Sequence, residues 1–475
     1  MKKMLGDAFA SYLEAFESPE VHALRYNPLK KDPEGKGADE VRPSDGWTLT
    51  PVPWETNGFA YGAEDTPGKH PYHEAGIYYI QEPSAMAPVR LLAPQPGERV
   101  LDLCAAPGGK TTQIAGLMQG EGILVANEIH PARAKILSEN LERLGVQNAI
   151  VTNETPERLA DRFPGFFDRI LVDAPCSGEG MFRRENDALK MWSEENVRLC
   201  AERQALILDC AAQMLRQGGV LVYSTCTFAP AEDEGSIAAF CMRHPEFVIT
   251  DTGFLKEKMP SGRCDGHPEW AVSPEGEALP EDARRDLEKA LRLWPMYVKG
   301  EGHFAARLSK GEETPAEEAV KAAPVGGFEP GIPAKGLEDY FTFLQETLDP
   351  ESELAREGKN GRRFLLFGEN LYRMPMEAPS LKGLKVLRPG LQLGTFRKNR
   401  FEPAHALALA LDPEKVRNAQ LLSKEDAQRY LTGQTLNTEG EKGWQLICTG
   451  GFSLGWAKLA GGVLKNHYPK GLRKN

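Results

Sequence analysis

VLDLCAAPGGKTTQIA, residues 100–115, reads as a strand, a tight glycine turn and a helix. Gly108 and Gly109 let the backbone approach a ligand with no Cβ in the way. The helix behind them turns its N-terminus toward a carboxylate or a phosphate. The stretch is not GxGxxG, and although it contains Gly-Lys-Thr at 109–111 it lacks the GxxxxGK[ST] spacing of a P-loop. In an open α/β sheet such a turn lies at the carboxyl edge of the strands, where ligands bind.

Outward from this turn the pattern repeats. ERVLDLC (98–104), ILVAN (123–127), DRILVDAP (168–175) and VLVYSTC (220–226) read as strands. Helical spacing covers 131–144, 194–216 and 232–243. Short apolar strands alternating with amphipathic helices predict an α/β, Rossmann-like domain with a parallel sheet covered on both faces. Glu128, at the end of the second strand, is placed to bind the two hydroxyls of a ribose. The bland alternative is a solvated residue at the start of the helix behind Pro131.

Two further strand ends carry cysteines: Cys176 in DAPCSGEG, three residues after Asp173, and Cys226 in STCTFAPAEDE. A lone cysteine is ordinarily a small buried hydrophobe, which is the expected state of Cys200, Cys210 and Cys241 on helices. Two cysteines at the functional edge, one with an adjacent Asp, point to nucleophilic chemistry. An unperturbed thiol is mostly protonated at neutral pH, so a nucleophile needs a local field or a base. No His flanks either cysteine, which disfavours a Cys–His hydrolase. Helix N-termini, Lys110 or Arg183 are the candidates for lowering a thiol pKa. Spacing alone leaves open which of the two attacks.

The chain has 475 residues, 41% hydrophobic and 26% charged, enough for about three domains. Its eight cysteines lack CxxC pairs or His partners at ligand spacing, so a disulfide scaffold or a metal site is not expected, and a reducing cytoplasm is. No apolar run approaches the roughly 20 residues of a membrane span, and Asp7 and Glu14 interrupt the apolar pattern of the start as they would not in a signal peptide. The net charge of −11 does not advertise nucleic acid, but two stretches are basic without any acid. One holds Lys382, Lys385, Arg388, Arg397, Lys398 and Arg400; the other holds Lys458, Lys465, Lys470, Arg473 and Lys474. Each is a solvated face or a local phosphate-binding patch. Composition divides the chain into an N-terminal extension (1–70), the alternating domain (71–312), a Glu/Ala/Pro/Gly-rich flexible linker (313–335) and a mixed C-terminal region (336–475).

CAAPGGK, NEIHPARA, DAPCSGEG and STCTFAPAEDE together resemble the Sun/NSUN-type family of RNA cytosine-C5 methyltransferases. LRYNPLK (24–30), YYIQEPSAM (78–86) and RLWPMYVKGEGHFAARL (292–308) extend the resemblance. The C-terminal third, ending GWAKLAGGVLKNHYPKGLR (455–473), resembles the bacterial RsmF-like subgroup with its PUA-like RNA-binding units. The resemblance implies a Rossmann-like S-adenosylmethionine-dependent methyltransferase, with an N-terminal α+β extension that binds RNA and a C-terminal α+β PUA-like region. It implies donor binding by Cys104, Ala105, Ala106, Pro107, Gly108, Gly109 and Lys110, with Glu128 on the ribose and Asp173 beside the methyl donor and the target base. It makes Cys226 the nucleophile and Cys176 the helper that lets the finished base leave. The family usually sets an Asp against the adenine; here NETPE puts Thr155 at that offset, with Asn153 and Glu154 as the neighbouring candidates.

The implied substrate is RNA, chiefly 16S ribosomal RNA or the small ribosomal subunit, taken by a monomer without metal or membrane. Carbon 5 of cytosine becomes nucleophilic once a thiolate adds to carbon 6, and Asp173 with a raised pKa would share a proton with the ring. Two readings compete: a tRNA or DNA cytosine methyltransferase of the same fold, and a non-catalytic RNA-binding ribosome assembly factor.

Overall fold

Near the N-terminus β1 (Ala23–Tyr26), β2 (Leu49–Val52), β3 (Glu55–Tyr61) and β4 (Tyr78–Ile80) form an antiparallel sheet in the order β2-β3-β1-β4. The computed structural model describes residues 1–475 apart from 33, 185–188, 191, 334, 358–362, 399, 474 and 475. Ala334 of the expected linker and Lys474 of the basic end therefore lie outside the described residues. Because β4 belongs to this sheet, the N-terminal unit runs past the expected boundary at residue 70. Helix α1 (Phe9–Glu17) buries Tyr12 against Phe228 and Trp294, with ring centroids 5.7 and 6.1 Å away. Asn27 of LRYNPLK donates to the carbonyls of Gly76 (2.9 Å) and Leu144 (2.8 Å), fastening the unit to the next domain.

That domain holds β5 (Arg99–Asp102), α2 (Gly109–Leu117), β6 (Ile123–Asn127), α3 (Pro131–Arg143), β7 (Ala149–Thr152), α4 (Pro156–Arg162) and β8 (Phe167–Asp173). There follow α5 (Glu194–Met214), β9 (Leu215–Thr225), α6 (Glu234–Arg243), β10 (Phe247–Ile249), β11 (Leu291–Leu293) and β12 (His303–Lys310). The sheet runs β10-β12-β9-β8-β5-β6-β7, with β11 on β12. From β7 to β9 every neighbour is parallel; β12 and β10 are antiparallel. Every residue of β5, β6 and β7 is buried, as strands covered on both faces require. The strand order reverses between β5 and β8, and the glycine turn lies at that switch point. The helix expected over 194–216 ends at Met214 instead. Arg216 is drawn into β9 because its guanidinium meets the buried Asp168 at 2.7 Å. Among the described residues no helix is long and apolar enough to cross a membrane.

The C-terminal region is two units. Helix α7 (Glu338–Thr347) packs on β13 (Phe364–Phe367), β14 (Asn370–Arg373), β16 (Leu391–Arg397) and β17 (Arg400–Pro403), which pair in that order. After α8 (His405–Ala410), the second unit contains β18 (Ala419–Leu422), α9 (Lys424–Leu431), β19 (Leu436–Asn437), β20 (Gly443–Thr449), β21 (Phe452–Ala460) and β22 (Val463–Asn466). Its sheet order is β18-β20-β21-β22-β19.

Two features depart from the sequence reading. Strand β15 (Val386–Arg388), in a stretch read as a basic face, pairs antiparallel with β7 and closes the edge of the catalytic sheet. Arg388 is buried there and donates to the Val146 carbonyl at 2.6 Å. The expected flexible linker is a strap along the domain. Thr314 N donates to Gly218 O (3.1 Å), Lys321 pairs with Asp168 (3.2 Å), Ala322 O accepts from Arg99 (3.1 Å) and Val325 N donates to Arg162 O (2.9 Å). Composition concealed this because these bonds are made largely by backbone.

Candidate active site

The turn from Cys104 to Lys110 links β5 to α2, with Gly108 at φ +111° capping the helix. A Cβ on Gly108 would come within 3.2 Å of Leu137 on α3, and one on Gly109 within 3.2 Å of the Tyr79 ring. The positive φ favours glycine at 108, and both positions are tight enough that a Cβ would push its neighbour aside. The turn's carbonyls are held from outside: Arg133 donates to Ala106 O (2.8 Å), Asn140 to Pro107 O (2.8 Å) and Arg25 to Gly109 O (3.2 Å). Arg25 also reaches Thr112 Oγ1 (2.9 Å) and Gln81 Oε1, so the N-terminal sheet sets the position of the turn.

Glu128 sits at the end of β6 with its carboxylate accepting from His130 N (2.9 Å), 3.4 Å from Arg133. Asn153 and Glu154 are committed elsewhere. Asn153 donates to the carbonyls of Glu128 (2.7 Å) and Ile129 (2.8 Å). Glu154 accepts Lys385 N (2.6 Å) and pairs with Arg158 (2.8 Å). Thr155 caps α4. The Glu154 side chain thus anchors the segment leading into β15 and is engaged away from an adenine. The remaining geometry fits S-adenosylmethionine: a close-approach glycine turn, a strand-end acid, and Asp102 at the base of the turn with Oδ1 buried and unpartnered. Burial raises Asp102 to about 7.

Asp173, at the end of β8, pairs with Lys110 at 2.8 Å and accepts from Ser224 Oγ at 2.7 Å. Burial alone would raise its pKa, but Lys110 and His303 outweigh it and hold the carboxyl well below the usual range. It is a carboxylate here, contrary to the raised pKa expected for sharing a proton with a ring. Lys110 is correspondingly raised: burial lowers it, and Asp173 more than compensates.

Cys176 and Cys226 are brought together with sulfurs 3.3 Å apart. Their loops are cross-tied. Gly180 N donates to Cys226 O (2.8 Å), Ser177 Oγ meets Thr227 Oγ1 (2.8 Å), and Ser177 N donates to Glu232 (2.9 Å). The hydrogen bond with Cys226, followed by burial, pushes the Cys176 thiol well above its ordinary range. Glu232 rises to about 7, chiefly through burial. The acids of APAEDE are buttressed by Arg292, which lies 2.9 Å from Asp233 and 2.5 Å from Glu234, with its guanidinium 5.2 Å from the rings of Trp270 and Trp294.

Arg183 does not face the thiols: it pairs with Glu301 (2.7 Å) and donates to Ala15 O (2.7 Å). Burial raises Cys200, Cys210 and Cys241, as expected of thiols used for packing, and it raises Cys104 in the glycine turn as well. Reasoning on sequence missed His303. β12 delivers it beside Asp173, its Nε2 3.7 Å from Oδ1, although no histidine flanks either cysteine in the chain. The signal was present in GEGHFAARL, but only pairing of β12 with β9 places it.

Comparison with known proteins agrees with this architecture. Residues 89–309 match the family model described as 16S rRNA methyltransferase RsmB/F, and residues 1–83 the N-terminal domain of 16S rRNA methyltransferase RsmF. Residues 342–411 match the RsmF first C-terminal domain and 417–474 the RsmF PUA domain, the same two units seen in the fold. Ribosomal RNA small subunit methyltransferase F of Escherichia fergusonii is 34% identical over 98% of this chain and 93% of its own length. That of Shewanella oneidensis is 33% identical with the same coverage. A solved methyltransferase homologue from Pyrococcus horikoshii is 31% identical, with a TM-score of 0.50 over 64% of this chain and 91% of its own. With full-length relatives above 30% identity and all four domains accounted for, the chain belongs to the RsmF branch of the 16S rRNA methyltransferase RsmB/F family.

Proposed function

We propose that this protein methylates carbon 5 of a cytidine in 16S ribosomal RNA, acting in the cytoplasm as a monomer, with Cys226 as nucleophile. The observation that carries this reading is the 3.3 Å contact between Cys176 and Cys226, at the strand edge that also holds the glycine turn and the Lys110–Asp173 pair. S-adenosylmethionine, held by residues 104–110 and Glu128, supplies an electrophilic methyl that carbon 5 accepts. Addition of the Cys226 thiolate to carbon 6 makes carbon 5 the nucleophile. Cys176, whose thiol keeps its proton against the other sulfur, donates a hydrogen bond that favours the thiolate and eases its departure. Asp173 and Lys110 supply an ionised pair to orient the polar edge of the cytosine.

RNA would be held by the flanking units. On the PUA unit Lys458 and Lys465 are register partners on adjacent strands, and Lys458 lies 5.3 Å from the Trp444 ring. Like charges side by side with an aromatic neighbour favour a phosphate backbone with a stacked base.

The test is bisulfite sequencing of ribosomal and transfer RNA from cells with and without the gene. Loss of one protected cytidine in 16S RNA is expected. Unchanged 16S RNA with a lost transfer-RNA site would favour the tRNA reading instead, and no change in either would favour the assembly-factor reading.

A further inference from the structure

Once carbon 5 carries its methyl, the proton left there must go to a base. The groups around the sulfur pair are nearly all committed. Cys176 retains its own proton. Glu232 accepts from Ser177 and Gln204, Glu301 is paired with Arg183 through Oε2 while its Oε1 is buried without a partner, and Glu82 accepts from Ser84 N, Ser84 Oγ, Ala85 N and Glu301 N. Asp173 is engaged by Lys110 and Ser224, and a carboxylate so strongly stabilised is a weak base.

His303 is different. Its Nδ1 is 3.0 Å from the carbonyl of Gly302, which can only accept, so Nδ1 carries a hydrogen and Nε2 has the lone pair in the neutral ring. Nε2 is buried without a hydrogen-bond partner, 3.7 Å from Asp173 Oδ1. The ring's other charged neighbour is Glu82, 3.8 Å from Nδ1. The last register pair of β9 and β12 is Thr225 with Phe304, so His303 stands one step beyond, opposite Cys226 on the same sheet face. A buried ring nitrogen beside the Asp173 carboxylate, on the strand that faces the nucleophile's strand end, is placed to take a proton and to have the resulting imidazolium stabilised by Asp173.

We propose that His303 is the base that removes the carbon 5 proton. Nε2 takes that proton, and the C5–H electron pair becomes the C5=C6 bond. The C6–S bond breaks toward sulfur, so Cys226 leaves as the thiolate it began as, accepting the Cys176 S–H. The imidazolium rests against Asp173 until its proton passes to solvent, one proton per methyl transferred. This step rests on the cytosine-C5 reading above.

His303→Asn keeps a donor for Gly302 and removes the base; His303→Gln, of nearly equal bulk, is run in parallel to guard against misfolding. With 16S RNA labelled at cytidine carbon 5 with tritium, both variants are expected to bind donor and to transfer one methyl in a single turnover. Tritium release and turnover should fall 100-fold or more, and a denaturation-resistant protein–RNA adduct should accumulate. Tritium release within threefold of the parent in either folded variant would overturn the assignment. So would loss of adduct with donor binding intact, which places His303 at the attack step. Failure of the underlying reading is distinguishable, because then the parent enzyme itself forms no adduct and releases no tritium.

Discussion

Lys110 Nζ lies 2.8 Å from Asp173 Oδ2, joining the helix behind the glycine turn to the end of β8. The ion pair couples the glycine turn to the end of β8, so disturbing either partner should be felt by both. Lys110→Met removes the main stabiliser of the Asp173 carboxylate, and the acid limb of the pH–rate profile should move upward. The linkage follows the same sign. Asp173 is depressed in the fold, so its contribution to stability is present above its ordinary value of 3.8 and lost as pH falls below it. Acid denaturation of Lys110→Met should therefore begin at higher pH than in the parent. Coincident acid transitions would show that the pair does not set the ionisation of Asp173.

The two sulfurs should separate by timing. Cys226→Ala is expected to lose methylation and covalent attachment together while still binding donor. Cys176→Ala should attack and methylate once, then stay bonded to its product through denaturing electrophoresis. The reverse pattern would transfer the nucleophile to Cys176, and activity in both variants without any adduct would remove the covalent route.

Glu128 and Glu154 make a matched control. Glu128→Ala should weaken donor binding by about 1.5–3 kcal/mol, the scale of a lost charged hydrogen bond. Glu154→Ala should leave donor affinity alone and lower the melting temperature, because its carboxylate holds Lys385 N and Arg158. Calorimetry that ranks them the other way would restore Glu154 as the adenine contact.

Arg388→Met should destabilise the protein by about 1–3 kcal/mol and make the segment around β15 the first site of limited proteolysis. An unchanged digestion pattern would show that the Val146 hydrogen bond does not hold this edge.

Replacing Lys458 and Lys465 together by Ala should weaken RNA binding at low salt and reduce the magnitude of the salt slope by roughly two, one per phosphate contact. A full slope retained in the double variant would place the RNA on another face.

The candidate site was legible in place because its residues lie at strand ends: strand, turn and helix follow one another in CAAPGGK, and Cys176 and Cys226 each lie just beyond an apolar run. What composition could not convey was long-range pairing. His303 enters through an antiparallel strand whose partner lies some 80 residues earlier, and no local pattern announces that register. Arg388 looked like part of a solvated basic stretch, since nothing local shows that β7 has an open edge waiting for it. The strap over 313–335 was misread for the same reason, its low hydrophobicity hiding bonds made by Thr314, Ala322 and Val325 through the backbone. Asp173 lies at the end of β8 as read, but its carboxyl is held low rather than raised, because Lys110 sits opposite it only after folding.

Strand β15 belongs by sequence to the C-terminal region and by hydrogen bonding to the catalytic sheet. A sheet edge shared in this way ties the first C-terminal unit to the methyltransferase sheet by backbone hydrogen bonds, so RNA held on that unit would lie at a fixed distance from the cysteine pair.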